Sequence, residues 1–306
     1  MNVPPAEEDT SALAAGIRDR AREMGLSRAR PVLASANFNA IFRLCPYPVV
    51  ARISRVPAPV REALADARRE LAVAGHLRQQ GIPIAGPAAI VSAGPHLVDG
   101  RVVTFWEYVP PTMRPPLPPA EMVRRALAVQ EAMRSYKRRL PHLGAWRFSR
   151  QAVTFLRTLR GHPATDRLLE TWDAMDRELE TGDPASLRAA HGDLHAGNLL
   201  PGPEDWYWTD FEDASRMPAF WDLASLVTNP LLLDGHRSPL WRAARTLPAV
   251  ERDLPGFLLA VRARAILSTL ANTWWAARRA GEGAFAERQL QALEPALVWL
   301  VSGARA

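Results

Sequence analysis

A single cysteine, Cys45, and a single lysine, Lys137, stand among the 306 residues. One thiol excludes an internal disulfide and fits a reducing cytoplasm, the location expected for this chain. Cys45 sits in a C-P-Y-P turn and reads as a small residue rather than a nucleophile. No apolar run approaches the roughly 18 residues that a membrane-spanning helix needs, and no basic-then-apolar leader opens the sequence. Neither a membrane span nor a secretory signal is expected. A dense basic stripe is also missing. The formal net charge is +6, but the arginines are dispersed among Ala and Glu along helical stretches, so nucleic acid is not expected as a partner. With 48% apolar and 23% charged residues, the composition is that of a globular protein long enough for two lobes. No internal repeat is evident, and nothing specifies an oligomeric state.

What the sequence does have is concentrated at residues 191–212. The string H-G-D-L-H-A-G-N runs from His191 to Asn198, and D-F-E follows at Asp210, Phe211 and Glu212. Protein kinases write their catalytic loop H-R-D-L-x-x-x-N and their metal-binding element D-F-G, with the loop Asp as base and the Asn and second Asp on magnesium. His191, Asp193, Leu194 and Asn198 occupy those places, and Gly192 replaces the Arg. Between the two elements, residues 201–205 form a concentrated turn signal and 206–209 are aromatic or β-branched. A hairpin is predicted, with Asn198 and Asp210 facing each other across its open end. Two hard oxygen ligands suit Mg2+, which takes one or two protein groups plus phosphate oxygens and water. Asp193 is left to accept a proton from a hydroxyl. A rival reading places His191, Asp193 and His195 on one face of a strand as transition-metal ligands. The remaining histidines are scattered singly and complete no such cluster.

With these residues in hand, the chain resembles the aminoglycoside phosphotransferase and choline kinase-type family of small-molecule kinases. H-G-D-L-H-x-G-N-L-L at 191–200, D-F-E at 210–212 and W-D-L-A at 221–224 match that family's pattern. The resemblance implies an α+β, bilobal protein-kinase-like fold: a small N-lobe with an antiparallel sheet plus helix, and a larger, mostly helical C-lobe carrying a catalytic β-hairpin. It implies Asp193 as catalytic base, Asn198 and Asp210 as magnesium ligands, and Asp222 as a brace for the catalytic loop. His191 is expected to be a buried hydrogen-bonding residue of that loop.

The rest of the chain fits this order. Residues 1–109 read as the N-lobe: a leading helix at 6–24, strands at 31–35, 38–44 and 49–53, a helix at 60–80, and strands around 88–92 and 102–108. Residues 110–119 are a Pro-rich extended connection. Residues 120–306 read as the C-lobe, with helices at 120–139, 149–160, 165–180, 218–229, 239–247, 254–280 and 284–302.

Kinases cover the phosphates with a loop between the first two strands and pair a third-strand cation with a helix Glu. Here residues 34–39 form that loop without a glycine, so Ser35, Asn37 and Asn39 are the residues expected to approach the phosphates. Lys137 lies beyond the connection, which leaves Arg52 on the third strand as the cation. Its expected partner is Glu70, mid-way along the 60–80 helix. Guanidinium grips phosphate with a fork, though its reach differs from that of an ammonium. By resemblance, Glu107 and Val109 mark the hinge, where the backbone would hold adenine.

The reaction inferred is transfer of the γ-phosphoryl of ATP, with GTP a compatible donor, to a hydroxyl of a small molecule. An aminoglycoside-like antibiotic, an amino alcohol or a sugar-like metabolite would qualify. Glu212 and Asp213 are candidates to bind an acceptor amine; Trp274 and Trp275, with Trp241, are candidates to line its pocket, against the commoner reading of core aromatics. Residues 231–306 carry more Arg than Asp plus Glu, which argues against a polycationic drug. The glycine-free loop and the missing lysine also allow a catalytically silent, pseudokinase-like nucleotide-binding protein.

Overall fold

The computed structural model describes residues 10–36, 39–55, 58–159, 161–278 and 283–302. In chain order its first elements are α1 (Thr10–Glu23), β1 (Arg30–Ala36), β2 (Asn39–Cys45), β3 (Val49–Ser54), α2 (Val60–Gln79), β4 (His96–Val98) and β5 (Arg101–Glu107). Helices α3 (Pro119–Arg134), α4 (Gly144–Leu156) and α5 (Pro163–Glu180) follow, then the short strands β6 (Arg188–Ala190), β7 (Leu199–Pro201), β8 (Trp206–Trp208) and β9 (Ser215–Met217). The chain ends in α6 (Trp221–Asp234), α7 (Pro239–Arg245), α8 (Pro248–Arg252), α9 (Leu254–Ala277) and α10 (Gly283–Ser302). These elements form two compact units. One holds the described residues up to 114 together with 197–212; the other holds 115–196 and those from 213 onward.

The first unit is built on an antiparallel five-stranded sheet in the order β1-β2-β3-β5-β4. Strand alternation sorts its side chains. Ala40, Phe42, Leu44, Val49, Ala51, Ile53, Val103 and Phe105 bury one face under Leu13, Ile17 and Ala21 of α1. Arg52 and its cross-strand partner Thr104 point to the other face. There α2 turns in Ala67, Glu70, Val73, Ala74 and Leu77, the i, i+3, i+4, i+7 stripe of an amphipathic helix.

Two expectations need correction. Residues 34–36 belong to β1 and Asn39 opens β2, so these four positions of the expected loop are strand; Asn37 and residue 38 lie outside the described residues. The fourth strand is His96–Val98, not 88–92. Asp99 and Gly100 both take positive φ between Val98 and its partner Arg101, the two-residue hairpin that a D-G pair favours. That hairpin pairs β4 with β5 and leaves 88–92 in turns.

The β7–β8 hairpin also belongs to the first unit. The Ala85 N–H donates to the Trp208 carbonyl, and the Trp208 N–H to that of Pro83. Phe211, fully buried, stacks on Trp106 of β5 at 6.4 Å between ring centres. Residues 110–114 run without regular structure, and Thr112 and Arg114 hydrogen-bond to the carbonyls of 201–203.

The second unit is helical apart from the β6–β9 pair. Its centre is α9, packed against α4, α5, α6 and α10. With a mean hydropathy of 1.4 over its most apolar window, α9 is long and apolar enough to cross a membrane by length and composition alone, but 61% of that window is buried inside the fold. Its apolar residues make a core.

Candidate active site

On the α2 side of the sheet, four side chains of the first unit converge on Arg52. Its Nη1 donates to Glu70. Its Nη2 lies 2.6 Å from Asp210 Oδ1 and 2.7 Å from Glu212 Oε2. The Asn39 amide sits 3.5 Å from Glu212 Oε1 and, with its oxygen turned toward Arg52, accepts from Nη2 at 2.7 Å. Burial works against the charge on Arg52, yet Glu212, Glu70 and Asp210 hold it firmly protonated. Burial pushes the Glu70 carboxyl up, and the pull of Arg52 does not cancel this, because Glu212 and Asp210 share the same guanidinium. Three carboxyl groups meet one guanidinium, and even with Glu70 protonated the partly exposed carboxylates of Asp210 and Glu212 leave an excess of negative charge. A hard divalent cation, which needs only one or two protein oxygens, suits the Asp210 carboxylate within this set.

The hairpin delivers Asp210 to that cluster, with a register one residue away from the expected one. Leu199 pairs with Trp208, and the Thr209 N–H donates to the Asn198 carbonyl at 3.0 Å. Asn198 therefore stands opposite Thr209, and Asp210 is the next residue along. A positive φ of 67° at Asp210, a region Asp tolerates better than most residues, turns its carboxylate to Arg52. Asn198 is buried. Arg69, one residue before Glu70, was not singled out from sequence; its Nη2 donates to the Glu212 carbonyl at 2.9 Å. Glu212 itself, expected to meet an acceptor amine, is engaged by Arg52, since it lies two residues past Asp210 beside a shared cation.

In the second unit, Asp222 at the start of α6 organises the loop that follows β6. Its two carboxylate oxygens accept the N–H groups of His191 at 2.9 Å and Gly192 at 3.0 Å. Desolvation raises its pKa against these bonds. The Trp221 indole donates to the Gly192 carbonyl at 2.8 Å. His191 is fully buried, and its Nδ1 accepts from the Asp193 N–H at 3.4 Å. Gly192 takes φ +96°, and a Cβ there would fall 2.1 Å from the Asp213 carbonyl oxygen. No side chain fits, which explains a glycine where protein kinases carry Arg.

The Asp193 carboxylate emerges from this loop toward Arg264 and His195. Its Oδ1 lies 2.6 Å from Arg264 Nη2, and its Oδ2 3.3 Å from His195 Nε2. Burial opposes its charge, but Arg264 and His195 hold its carboxyl well below the usual carboxylate range. Arg264 was missed in the sequence. The available signal was a charged residue at the centre of a helix whose neighbours, Ala263, Ala265 and Ile266, are all buried.

The other expected residues take ordinary places. Ser35 sits in β1 just past a bulge, paired with Ile41. The Glu107 N–H donates to the Gly86 carbonyl and its side chain pairs with Arg78 at 2.6 Å, so its carbonyl is the group it can offer a base. Val109 follows β5, half-buried. Asp213 gives its carbonyl to Ser215. Trp274 and Trp275 are 3% and 8% exposed, and Trp241 stacks on Phe257, all within the helical core. His191, Asp193 and His195 lie on a bent loop rather than one strand face. Among the described residues no group of three or more His, Cys, Asp or Glu side chains is arranged to hold a metal.

A family model described as "Phosphotransferase enzyme family" matches residues 47–254, the span that carries Arg52, Glu70, Asp193, Asn198, Asp210 and Asp222. The chain belongs to the phosphotransferase enzyme family. No curated protein sequence matches it. Among solved structures, this phosphotransferase is similar to amicoumacin kinase hAmiN in complex with AMP-PNP, Ca2+ and Ami, at TM-score 0.63 and 13% identity over 94% of this chain and 96% of that one. It is also similar to a choline/ethanolamine kinase family protein from Mesorhizobium loti (TM-score 0.61, 16% identity, 97% and 99% covered). Choline kinase LicA from Streptococcus pneumoniae gives TM-score 0.63 at 13% identity, with 94% and 99% covered. These likenesses establish the fold as α+β and protein-kinase-like.

Proposed function

We propose that this phosphotransferase is an ATP- and Mg2+-dependent kinase that moves the γ-phosphoryl group to a hydroxyl of a small molecule. The observation that carries the reading is the charge imbalance at Arg52: one guanidinium, three carboxylates and the Asn39 amide. Asn198 and Asp210 would hold Mg2+, whose charge offsets that on the phosphate oxygens. Arg52, anchored by Glu70, supplies the protein's own positive charge to the phosphates. The Glu107 carbonyl and the Val109 N–H would hold adenine.

Asp193 aligns the acceptor hydroxyl and takes its proton as the new O–P bond forms and the bond to ADP breaks. Its low basicity fits this chemistry. Positioning and charge stabilisation carry most of the catalysis in phosphoryl transfer, and the proton moves late. Asp222 and His191 act through the loop, keeping Asp193 in place. The acceptor class favoured is a hydroxyl-bearing molecule with few amines, because Glu212 is engaged by Arg52 and the last helices are rich in Arg.

Isothermal titration calorimetry tests the metal half of this assignment. Asp210→Asn is expected to weaken ATP binding in Mg2+ while changing it little in EDTA. Equal binding of Mg2+·ATP by the variant and the wild type would remove Asp210 from the metal site.

A further inference from the structure

Arg264 lies in the middle of α9, a long apolar helix, and is 7% exposed. A buried guanidinium carries a large desolvation cost unless it is well paired. Here Nη2 meets Asp193 Oδ1 at 2.6 Å, Nη1 reaches the Gly192 carbonyl at a long 3.4 Å, and the buried Nε has no hydrogen-bond partner. The guanidinium carbon sits 5.5 Å from the centre of the Trp221 ring, whose indole holds the same Gly192 carbonyl. Both hydrogen-bond acceptors of Arg264 are therefore on the catalytic loop. The hydrogen bonds of the side chain thus tie α9 to the loop that carries Asp193.

We propose that Arg264 is a positioning residue for the transfer, fixing the Asp193 carboxylate through Oδ1 so that Oδ2 receives the acceptor's proton. The inference rests on the phosphotransferase role given above to Asp193. A guanidinium on a general base weakens it, which a reaction limited by proton abstraction would not tolerate. Phosphoryl transfer does tolerate it, because alignment of the nucleophile matters more than basicity. Among the described residues, the charged and titratable groups that face Asp193 include Arg264 from α9, His191 and His195 from its own loop, and Asp222 from α6, which acts through the backbone of 191 and 192. Arg264 holds Oδ1 at 2.6 Å.

The test compares wild type, Arg264→Met and Arg264→Lys in two measurements: steady-state kinetics against pH, and a carbon-13 titration of the Asp193 carboxyl, assigned with Asp193→Asn. For Arg264→Met, kcat is expected to fall about 100-fold, the scale of a misplaced catalytic group, with KM for ATP unchanged. Burial, no longer opposed by Arg264, should bring the Asp193 titration above the ordinary value of about 3.9. An acid limb that the wild type lacks should then appear in the kcat profile. Arg264→Lys, which keeps the charge but loses the fork, should fall between the two and serves alone if the Met variant does not fold. Wild-type kcat in the variants, or an Asp193 titration that does not move, overturns the proposal. A kcat that rises would make Arg264 an inhibitory contact and overturn it equally. Should the wild type transfer phosphate to no acceptor, the phosphotransfer reading fails instead, and the carboxyl titration still decides whether Arg264 governs Asp193.

Discussion

Asp193→Asn is expected to lower kcat by about 1,000-fold or more, within the range that a positioned acid or base contributes, while Mg2+·ATP binding stays at the wild-type level. The substitution is isosteric, so the loop held by Asp222 and His191 should keep its shape. Two properties change at once. The amide cannot take a proton, and its NH2 group is repelled by Arg264, which forces the remaining oxygen toward Arg264 Nη2 and away from the acceptor. Binding survives because the residues proposed to hold the nucleotide, Arg52, Glu70, Glu107 and Val109, belong to the first unit and keep their own contacts. Steady-state rates and calorimetry check both halves. A variant with near wild-type kcat would remove Asp193 from its role, and one that lost ATP binding would show that the two sets of residues are not separable.

Replacing Arg52 should have the other large effect, and it should be visible in stability as well as rate. Arg52→Met leaves Glu70, Asp210 and Glu212 without their common cation. Removing one partner of a buried ion pair typically costs about 3–5 kcal/mol, because a charge is left uncompensated. The loss should depend on pH. Glu70 is already pushed up by burial, and without Arg52 it rises further. A folded carboxyl with a pKa above its unfolded value binds a proton that the unfolded chain does not, so stability falls as pH rises through that folded value. Wild-type Glu70 is itself pushed up to about 8, so both proteins share the decline below that value. The variant should therefore lie closest to wild type at about pH 6 and fall away from it above about pH 8, toward about pH 10. Turnover should fall with stability intact at the lower pH, since the phosphates lose their protein cation. Urea melts across that pH range are the measurement. A uniform, pH-independent loss below about 1 kcal/mol, the ordinary size of a surface effect, would mean that the three carboxylates do not depend on Arg52.

Much of this was legible in the residues themselves. Arg52 was legible as the cation on the third strand and Glu70 as the acidic residue mid-way along the 60–80 helix; strand alternation and helical spacing account for their meeting. The hairpin at 199–208 was legible because a P-G-P-E-D turn separates apolar strands. What was not legible depends on geometry that letters do not carry. The one-residue register at Asn198 and Thr209 is set by how the 202–205 turn closes, and by the positive φ that Asp210 adopts. The fourth strand was misplaced because 88–92 is apolar enough to pass for a strand, whereas the D-G pair at 99–100 marks the true hairpin. Glu212 was assigned to the acceptor because sequence adjacency says nothing of which cation a carboxylate will reach. Arg264 is 71 residues from Asp193, and only packing of α9 against α6 brings them together.

The most direct measurement is phosphorus-31 NMR of the wild-type protein with ATP, Mg2+ and a panel of amino alcohols, sugars and aminoglycosides. The account predicts loss of the γ-phosphate signal and growth of an acceptor phosphomonoester with at least one member of the panel, dependent on the divalent cation and absent with Asp193→Asn. Tight Mg2+·ATP binding with no phosphomonoester from any hydroxylated acceptor would contradict it and leave a nucleotide-binding protein that performs no transfer.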